Sequence, residues 1–93
     1  MVRILVAEDD DIMRITVVDH LRLHGWMTDE VLNGTAALLM MKETNYDIVL
    51  SDIRMPEMGG EQLLAEVKKT SPGTEVILMT AHGNTDDAVN CLK

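Results

Sequence analysis

Near its N-terminus the chain reads Ile4-Leu5-Val6-Ala7-Glu8-Asp9-Asp10, a short continuous apolar run followed at once by acids. Two further continuous apolar runs follow, Ile48-Val49-Leu50 and Val76-Ile77-Leu78-Met79. Runs of this length without alternating polar residues are typical of strands covered on both faces, which are mostly parallel strands in α/β sheets. The three runs therefore predict a parallel sheet with buried strands.

Helical patterns separate the predicted strands. The predicted helices cover residues 10–24, 35–44 and 60–70, and a fourth begins at Asn84. In the first, Met13, Val17, Leu21 and His24 are spaced three or four residues apart, and Gly25 follows its end. A weaker, more polar strand is predicted over residues 26–32. Four βα units joined by right-handed crossovers give an open parallel sheet with helices on both faces.

The composition describes one small acidic domain, residues 1–93. The chain is 46% hydrophobic and has a formal net charge of -8, which repels nucleic-acid phosphates and anionic membranes. We therefore expect no direct nucleic-acid contact and no membrane contact. The apolar run at 4–7 is too short for a signal peptide, and the only cysteine, Cys91, permits no internal disulfide, so a cytoplasmic location is expected. One cysteine and three scattered histidines give no metal-ligand spacing.

Acidic residues stand at the ends of two predicted strands. Glu8 and Asp9 follow the first strand, and Asp52 follows the third. The carboxyl ends of the strands form the working edge of such a sheet, where the strand order reverses. Because like charges at close range destabilise a fold, a hard divalent cation such as Mg²⁺ is the natural partner for these carboxylates. Acids at helix N-caps and turns are the alternative, which we prefer for Asp10 and Asp11.

Asp52 and Thr80 are the candidate reactive residues. Asp52 lies at the mouth of a buried strand and precedes an irregular stretch, residues 54–60. An aspartate in this position can serve both as a metal ligand and as a nucleophile that takes up a phosphoryl group. Thr80 ends the fourth strand, and its hydroxyl can donate to a phosphoryl oxygen. Taken alone, Thr80 is explained more simply as a β-favouring residue at a strand end.

Three motifs taken together resemble one known family. They are Ile4-Leu5-Val6-Ala7-Glu8-Asp9-Asp10, Asp47-Ile48-Val49-Leu50-Ser51-Asp52-Ile53-Arg54-Met55-Pro56-Glu57-Met58-Gly59-Gly60 and Val76-Ile77-Leu78-Met79-Thr80-Ala81. In this order, at the ends of strands one, three and four, they closely resemble the receiver domain of two-component response regulators. The resemblance covers the whole chain. The residues around Thr80 are most similar to receivers of sigma-54-dependent transcription activators.

The resemblance implies a site as well as a flavodoxin-like, or CheY-like, fold. Asp52 is the implied phosphoacceptor, and Glu8 and Asp9 are the implied acidic metal pair. The backbone carbonyl of Arg54 is implied to complete the Mg²⁺ site, and Thr80 is the implied switch hydroxyl. The implied function is Mg²⁺-dependent transfer of a phosphoryl group from a phosphohistidine to Asp52, which regulates an output that this chain does not contain.

The resemblance also implies partners. A sensor histidine kinase or a phosphotransfer protein is expected to dock beside the first helix, where Ile15 and Val18 are candidate solvent-facing contacts. The family's fifth strand, with its lysine, and its fifth helix have no counterpart in the sequence, so we expect a C-terminally truncated (βα)4 receiver. The fourth strand would then be an open edge. A homo-oligomer formed through that edge or by segment exchange is expected.

Three alternatives remain open at this point. The chain can be a switching-incompetent receiver fragment that acts only as an interaction or oligomerisation module. A Mg²⁺-dependent phosphohydrolase that forms an aspartyl-phosphate usually has a second acid two residues after the nucleophile, where this chain has Arg54. A flavin or nucleotide binder would need a Gly-rich loop after the first strand, where acids stand instead. The sequence therefore favours a phosphoacceptor module over an enzyme.

Overall fold

Four strands and three helices alternate along residues 1–79, the part of the chain that the computed structural model describes. They are β1 (Arg3–Ala7), α1 (Asp11–Leu23), β2 (Met27–Val31), α2 (Gly34–Glu43), β3 (Ile48–Asp52), α3 (Gly60–Thr70) and β4 (Glu75–Met79). Each described element agrees with its predicted bounds to within two residues. Thr80 and the helix predicted from Asn84 lie outside the described residues.

The four strands form one parallel sheet in the order β2-β1-β3-β4. β1 and β3 are neighbours in the middle, with Ala7 opposite Ser51, and Asp52 lies opposite Met79 on β4. Because the chain runs outward in both directions from this central pair, the strand order reverses between β1 and β3. The predicted open parallel sheet is confirmed, and its carboxyl ends meet where Glu8 and Asp52 emerge.

Helices cover both faces of the sheet, as predicted, and each face has its own apolar core. The core on the α1 face consists of Ile4, Val6, Val18, Leu21 and Leu50. The core on the α2 and α3 face consists of Leu5, Ala7, Ala37, Tyr46, Val49, Leu63 and Val67. Alternate residues of β1 and β3 point into opposite cores, which explains why these strands read as continuous apolar runs.

The buried face of α1 is shifted by one residue from the predicted face. Asp10 caps the helix, accepting a hydrogen bond of 2.9 Å from the Met13 backbone N–H, as preferred from the sequence. Val18, expected to face solvent, is only 1% exposed, whereas Ile15 is 51% exposed as expected. Arg14, Val18 and Leu21 form the inward face, because Val18 and Leu21 pack into the core on the α1 face and Arg14 donates to the buried carbonyl of Glu8.

Both edges of the described sheet are formed by short strands. β2 is the more polar edge, in agreement with the sequence, and Met27 at its start is exposed. Within residues 1–79, β4 pairs only with β3, and its apolar side chains are half-buried. Pairing of this edge with a second chain stays a prediction. In the same part of the chain, every helix is too short or too polar to cross a membrane.

Candidate metal centre

Three carboxylates converge at the carboxyl ends of β1 and β3. One side-chain oxygen from each of Glu8, Asp9 and Asp52 can be chosen so that all three lie within 4.8 Å of one another. Glu8 and Asp52 are buried, with 1% and 4% exposure, while Asp9 is exposed. The register of the central strands produces this cluster, because Glu8 and Asp52 each follow one residue of the opposed pair Ala7 and Ser51.

Glu8 is the member of the cluster whose carboxyl pKa is raised by its surroundings. Its burial raises its pKa from 4.5 to about 8, and a hydrogen bond with Asp52 together with the charges of Asp52 and Asp9 acts in the same direction. The Asp9 backbone N–H donates to Glu8 Oε2 at 3.1 Å, which lowers the pKa in part. Glu8 Oε1 is buried and accepts no hydrogen bond from a described residue. Without a cation, the surroundings of Glu8 therefore favour the protonated form of its carboxyl group.

The donor set fits a hard divalent cation. All three side chains offer oxygen, the ligand that Mg²⁺ prefers, and Mg²⁺ commonly takes one or two carboxylates and retains several waters. The buried Oε1 of Glu8, which lacks a donor, is an atom that a cation would satisfy. Such a cation would also replace the proton on Glu8 and remove the repulsion between neighbouring carboxylates. The three residues that the sequence predicts as side-chain metal ligands are thus brought together.

Backbone contacts hold Asp52 in place. The Ser51 hydroxyl donates to the Asp52 carbonyl oxygen at 2.9 Å, and the Arg54 backbone N–H lies 3.4 Å from Asp52 Oδ1. The Gly60 N–H donates to the carbonyl oxygen of Ile53, the residue after Asp52, at 2.9 Å. The first residue of α3 therefore lies directly against the end of β3. Arg54 itself is exposed. Its predicted carbonyl ligand stays a prediction, as does Thr80, which lies outside the described residues.

Arg14, which belongs to none of the sequence motifs, supports the loop that carries Glu8. Its guanidinium is almost fully buried and donates to the Glu8 carbonyl oxygen at 3.0 Å, to Asp11 Oδ1 at 2.6 Å and to Glu30 Oε1 at 3.1 Å. Arg14 therefore ties the first turn of α1 to β2 across the end of β1. An arginine in the same helical stripe as Val18 and Leu21 is the sequence signal for this contact.

Replacing Arg14 by methionine is expected to lower the free energy of unfolding by about 1–2 kcal/mol, because the buried Glu8 carbonyl loses its donor. The loss of support beneath Glu8 should also weaken Mg²⁺ binding. Urea denaturation and calorimetric Mg²⁺ titration measure the two effects. Arg22→Met is the matched control, since Arg22 is half-exposed and contacts Thr28 and Glu30 but not the acidic cluster. Equal stability and Mg²⁺ affinity in the two variants would contradict the role given to Arg14.

The fold and the site define a class of protein. Its members have an open parallel α/β sheet, and a buried aspartate and an oxygen-rich cation site lie where the strand order reverses. The response regulator receiver domain family matches residues 4–93. The chain belongs to this family.

Individual relatives agree with this membership. The chain is 45% identical over 91 residues to the transcriptional regulatory protein ZraR of Klebsiella oxytoca, and 40% identical over 91 residues to the regulatory protein AtoC of Escherichia coli. These matches cover 96% and 98% of this chain, which spans 20% of the length of each of these two proteins.

Solved structures show the same fold. The response regulator TrrA from Thermotoga maritima in complex with Mg²⁺-BeF matches with a TM-score of 0.82 and 32% identity, covering 98% of this chain and 81% of that one. A structure of the histidine kinase ThkA in complex with TrrA matches with a TM-score of 0.82 and 34% identity, covering 91% of this chain and 73% of that one. The flavodoxin-like receiver fold predicted from the sequence is thereby confirmed.

Proposed function

We propose that Asp52 accepts a phosphoryl group from the phosphohistidine of a sensor histidine kinase or a phosphotransfer protein, in a reaction that requires Mg²⁺. The observation that carries the proposal is the buried carboxylate of Asp52, whose oxygen lies within 4.8 Å of oxygens of Glu8 and Asp9. Family membership and the Mg²⁺-BeF complex of TrrA support it. Glu8, Asp9, Asp52 and the Arg54 carbonyl would hold the Mg²⁺.

The proposed transfer is a single displacement reaction at the phosphorus atom. A carboxylate oxygen of Asp52 forms the new P–O bond, the P–N bond of the phosphohistidine breaks, and the imidazole leaves with its electron pair and takes up a proton. When bound, Mg²⁺ neutralises negative charge on the phosphoryl oxygens and on the carboxylates. Glu8 and Asp9 supply negative charge that holds the cation beside Asp52, and the Arg54 backbone N–H orients Asp52. Thr80 would donate its hydroxyl to a phosphoryl oxygen.

The exposed side of α1 is the proposed docking surface for the phosphodonor. Ile12 and Ile15 are 80% and 51% exposed, and they follow Asp9 of the acidic cluster by three and six residues along the chain. A surface depression of about 400 Å³ is lined by Asp10, Ile12, Met13 and Thr16. The complex of ThkA with TrrA supports a kinase as the kind of partner. The buried Val18 is removed from the set of candidate contacts.

We propose that, within a longer protein, this receiver controls the activity of an output domain through its own phosphorylation. The regulatory names of ZraR and AtoC, and the resemblance to receivers of sigma-54-dependent activators, support an output in transcription. On this proposal the chain is a phosphoacceptor in the cytoplasm and not a turnover enzyme.

Incubation with acetyl phosphate and Mg²⁺, followed by intact-mass spectrometry, tests the proposal. The wild-type chain is expected to gain one phosphoryl mass, while Asp52→Asn gains none because the amide is not a nucleophile. Asp19→Asn makes the same chemical change at an exposed position of α1 and should be modified like wild type. Modification of the Asp52→Asn chain, or no modification of a folded, Mg²⁺-binding wild type, would refute the assignment.

A further inference from the structure

Two histidines lie one turn apart at the carboxyl end of α1. The rings of His20 and His24 are exposed, with centroids 4.8 Å apart and planes inclined by 53°. Residues four apart share one face of a helix, and this spacing within the predicted first helix is the sequence signal for the pair.

One nitrogen of His24 already has a partner. Its Nδ1 lies 3.0 Å from the backbone carbonyl oxygen of His20. Because a carbonyl oxygen only accepts, a hydrogen bond here requires a proton on Nδ1, and this tautomer leaves a lone pair on Nε2. Histidines that bind metals usually donate their second ring N–H to a carbonyl or carboxylate in this way. The contact with His20 thus favours the tautomer in which Nε2 of His24 can bind a metal ion.

We propose that His20 and His24 bind a divalent late first-row transition metal ion, such as Ni²⁺, Cu²⁺ or Zn²⁺, through one nitrogen of each ring. Imidazole suits these metals, whereas carboxylates and water suit Mg²⁺. With metal–nitrogen distances of about 2.0–2.1 Å, rings whose centroids are 4.8 Å apart are close enough to share one ion. Water would fill the remaining coordination positions.

This site is separate from the acidic cluster. α1 has 13 residues and is therefore about 20 Å long, and the acidic cluster lies at its other end. The histidines lie beside the start of β2, on the amino-end edge of the sheet. Metal binding at His20 and His24 therefore does not depend on the phosphoacceptor role of Asp52.

Trp26 provides a local reporter for this site. Its ring stacks on His24 with centroids 5.5 Å apart and planes inclined by 21°, and it is the only tryptophan in the chain. A paramagnetic ion such as Ni²⁺ bound beside His24 is therefore expected to quench Trp26 fluorescence.

The test is a fluorescence titration of the whole chain with Ni²⁺. Excess Mg²⁺ occupies the acidic cluster, and a Cys91→Ser background removes the thiol as a competing ligand. Quenching should saturate at one Ni²⁺ per chain and reverse with EDTA. The melting temperature should rise with Ni²⁺, because the ion binds only the folded helix end.

Two His→Gln substitutions distinguish Ni²⁺ binding at His20 and His24 from unspecific Ni²⁺ binding elsewhere on the chain. His20→Gln leaves the stack of His24 on Trp26 intact and should weaken Ni²⁺ binding by roughly tenfold or more. His82→Gln should bind like the parent. An unchanged affinity in His20→Gln, with the metal-free melting temperature preserved, would overturn the proposal. A loss of binding in His82→Gln would overturn it as well.

Discussion

Gly60→Ala is expected to lower the free energy of unfolding by about 3 kcal/mol, because the first residue of α3 has no room for a methyl group. A Cβ at this position would overlap the carbonyl oxygen of Asp52 and lie 3.0 Å from Leu78 Cδ2. The carbonyl belongs to the backbone of a buried strand and cannot turn aside as a flexible side chain can. The better helix propensity of alanine, worth about 1 kcal/mol, does not offset this clash.

Thermal denaturation measures the effect, with an expected fall of about 10–20 °C in the melting temperature. The methyl group also pushes α3 away from the end of β3, so Asp52 moves relative to Glu8 and Mg²⁺ affinity should fall. Gly73→Ala is the matched control, since a Cβ at Gly73 meets nothing within 4 Å. This control should be neutral or slightly stabilising. Equal melting temperatures for the two variants would contradict the close approach of α3 to Asp52.

The metal-free protein is expected to lose stability as the pH rises from about 5 to about 8. The folded pKa of Glu8 is raised to about 8 from an ordinary value of 4.5, chiefly by burial. Below pH 4.5 the carboxyl is protonated in both states, and its contribution to stability is complete. Above that, the unfolded chain releases the proton while the folded chain retains it. Stability therefore falls until the pH passes the folded pKa, by an amount on the order of 2–4 kcal/mol.

Glu8→Gln should flatten this pH dependence, since the amide is neutral and similar in shape. Urea denaturation in EDTA at several pH values is the measurement. Glu43→Gln makes the same change at an exposed residue at the end of α2 and should retain the wild-type slope. Saturating Mg²⁺ should restore stability to wild type at pH 8 and not to Glu8→Gln, because the cation replaces the proton. A wild-type stability that rises between pH 5 and pH 8 in EDTA would contradict the buried state of Glu8.

The order of the described elements follows from patterns that are local in the sequence. Continuous apolar runs identify β1, β3 and β4, and Gly25 ends the first helix in a left-handed conformation with φ of 84°. The orientation of α1 is less well determined, because two stripes of spaced residues overlap on this helix. Packing selects the stripe with Val18, whose partners lie on β1 and β3. The left-handed backbone of Glu57, with φ of 68°, has no signal in its residue type.

The side-chain ligands of the candidate site were predictable for a topological reason. Acids that follow neighbouring parallel strands must meet at the carboxyl edge of the sheet, so the positions of Glu8 and Asp52 already imply their proximity. The contacts of Arg14 depend on the distant Glu30 and were not predictable in detail. The Arg54 carbonyl and the Thr80 hydroxyl stay predictions.

The sequence by itself determined the parallel sheet, its order of elements and the acids at its working edge, because apolar continuity, caps and strand ends are properties of short stretches. Only the tertiary structure decided the protonation of Glu8, the inward face of α1 and the need for glycine at position 60. These depend on burial and on close approach by segments that are remote along the chain. A carboxyl group such as that of Glu8 has a raised pKa only once the folded protein removes it from water.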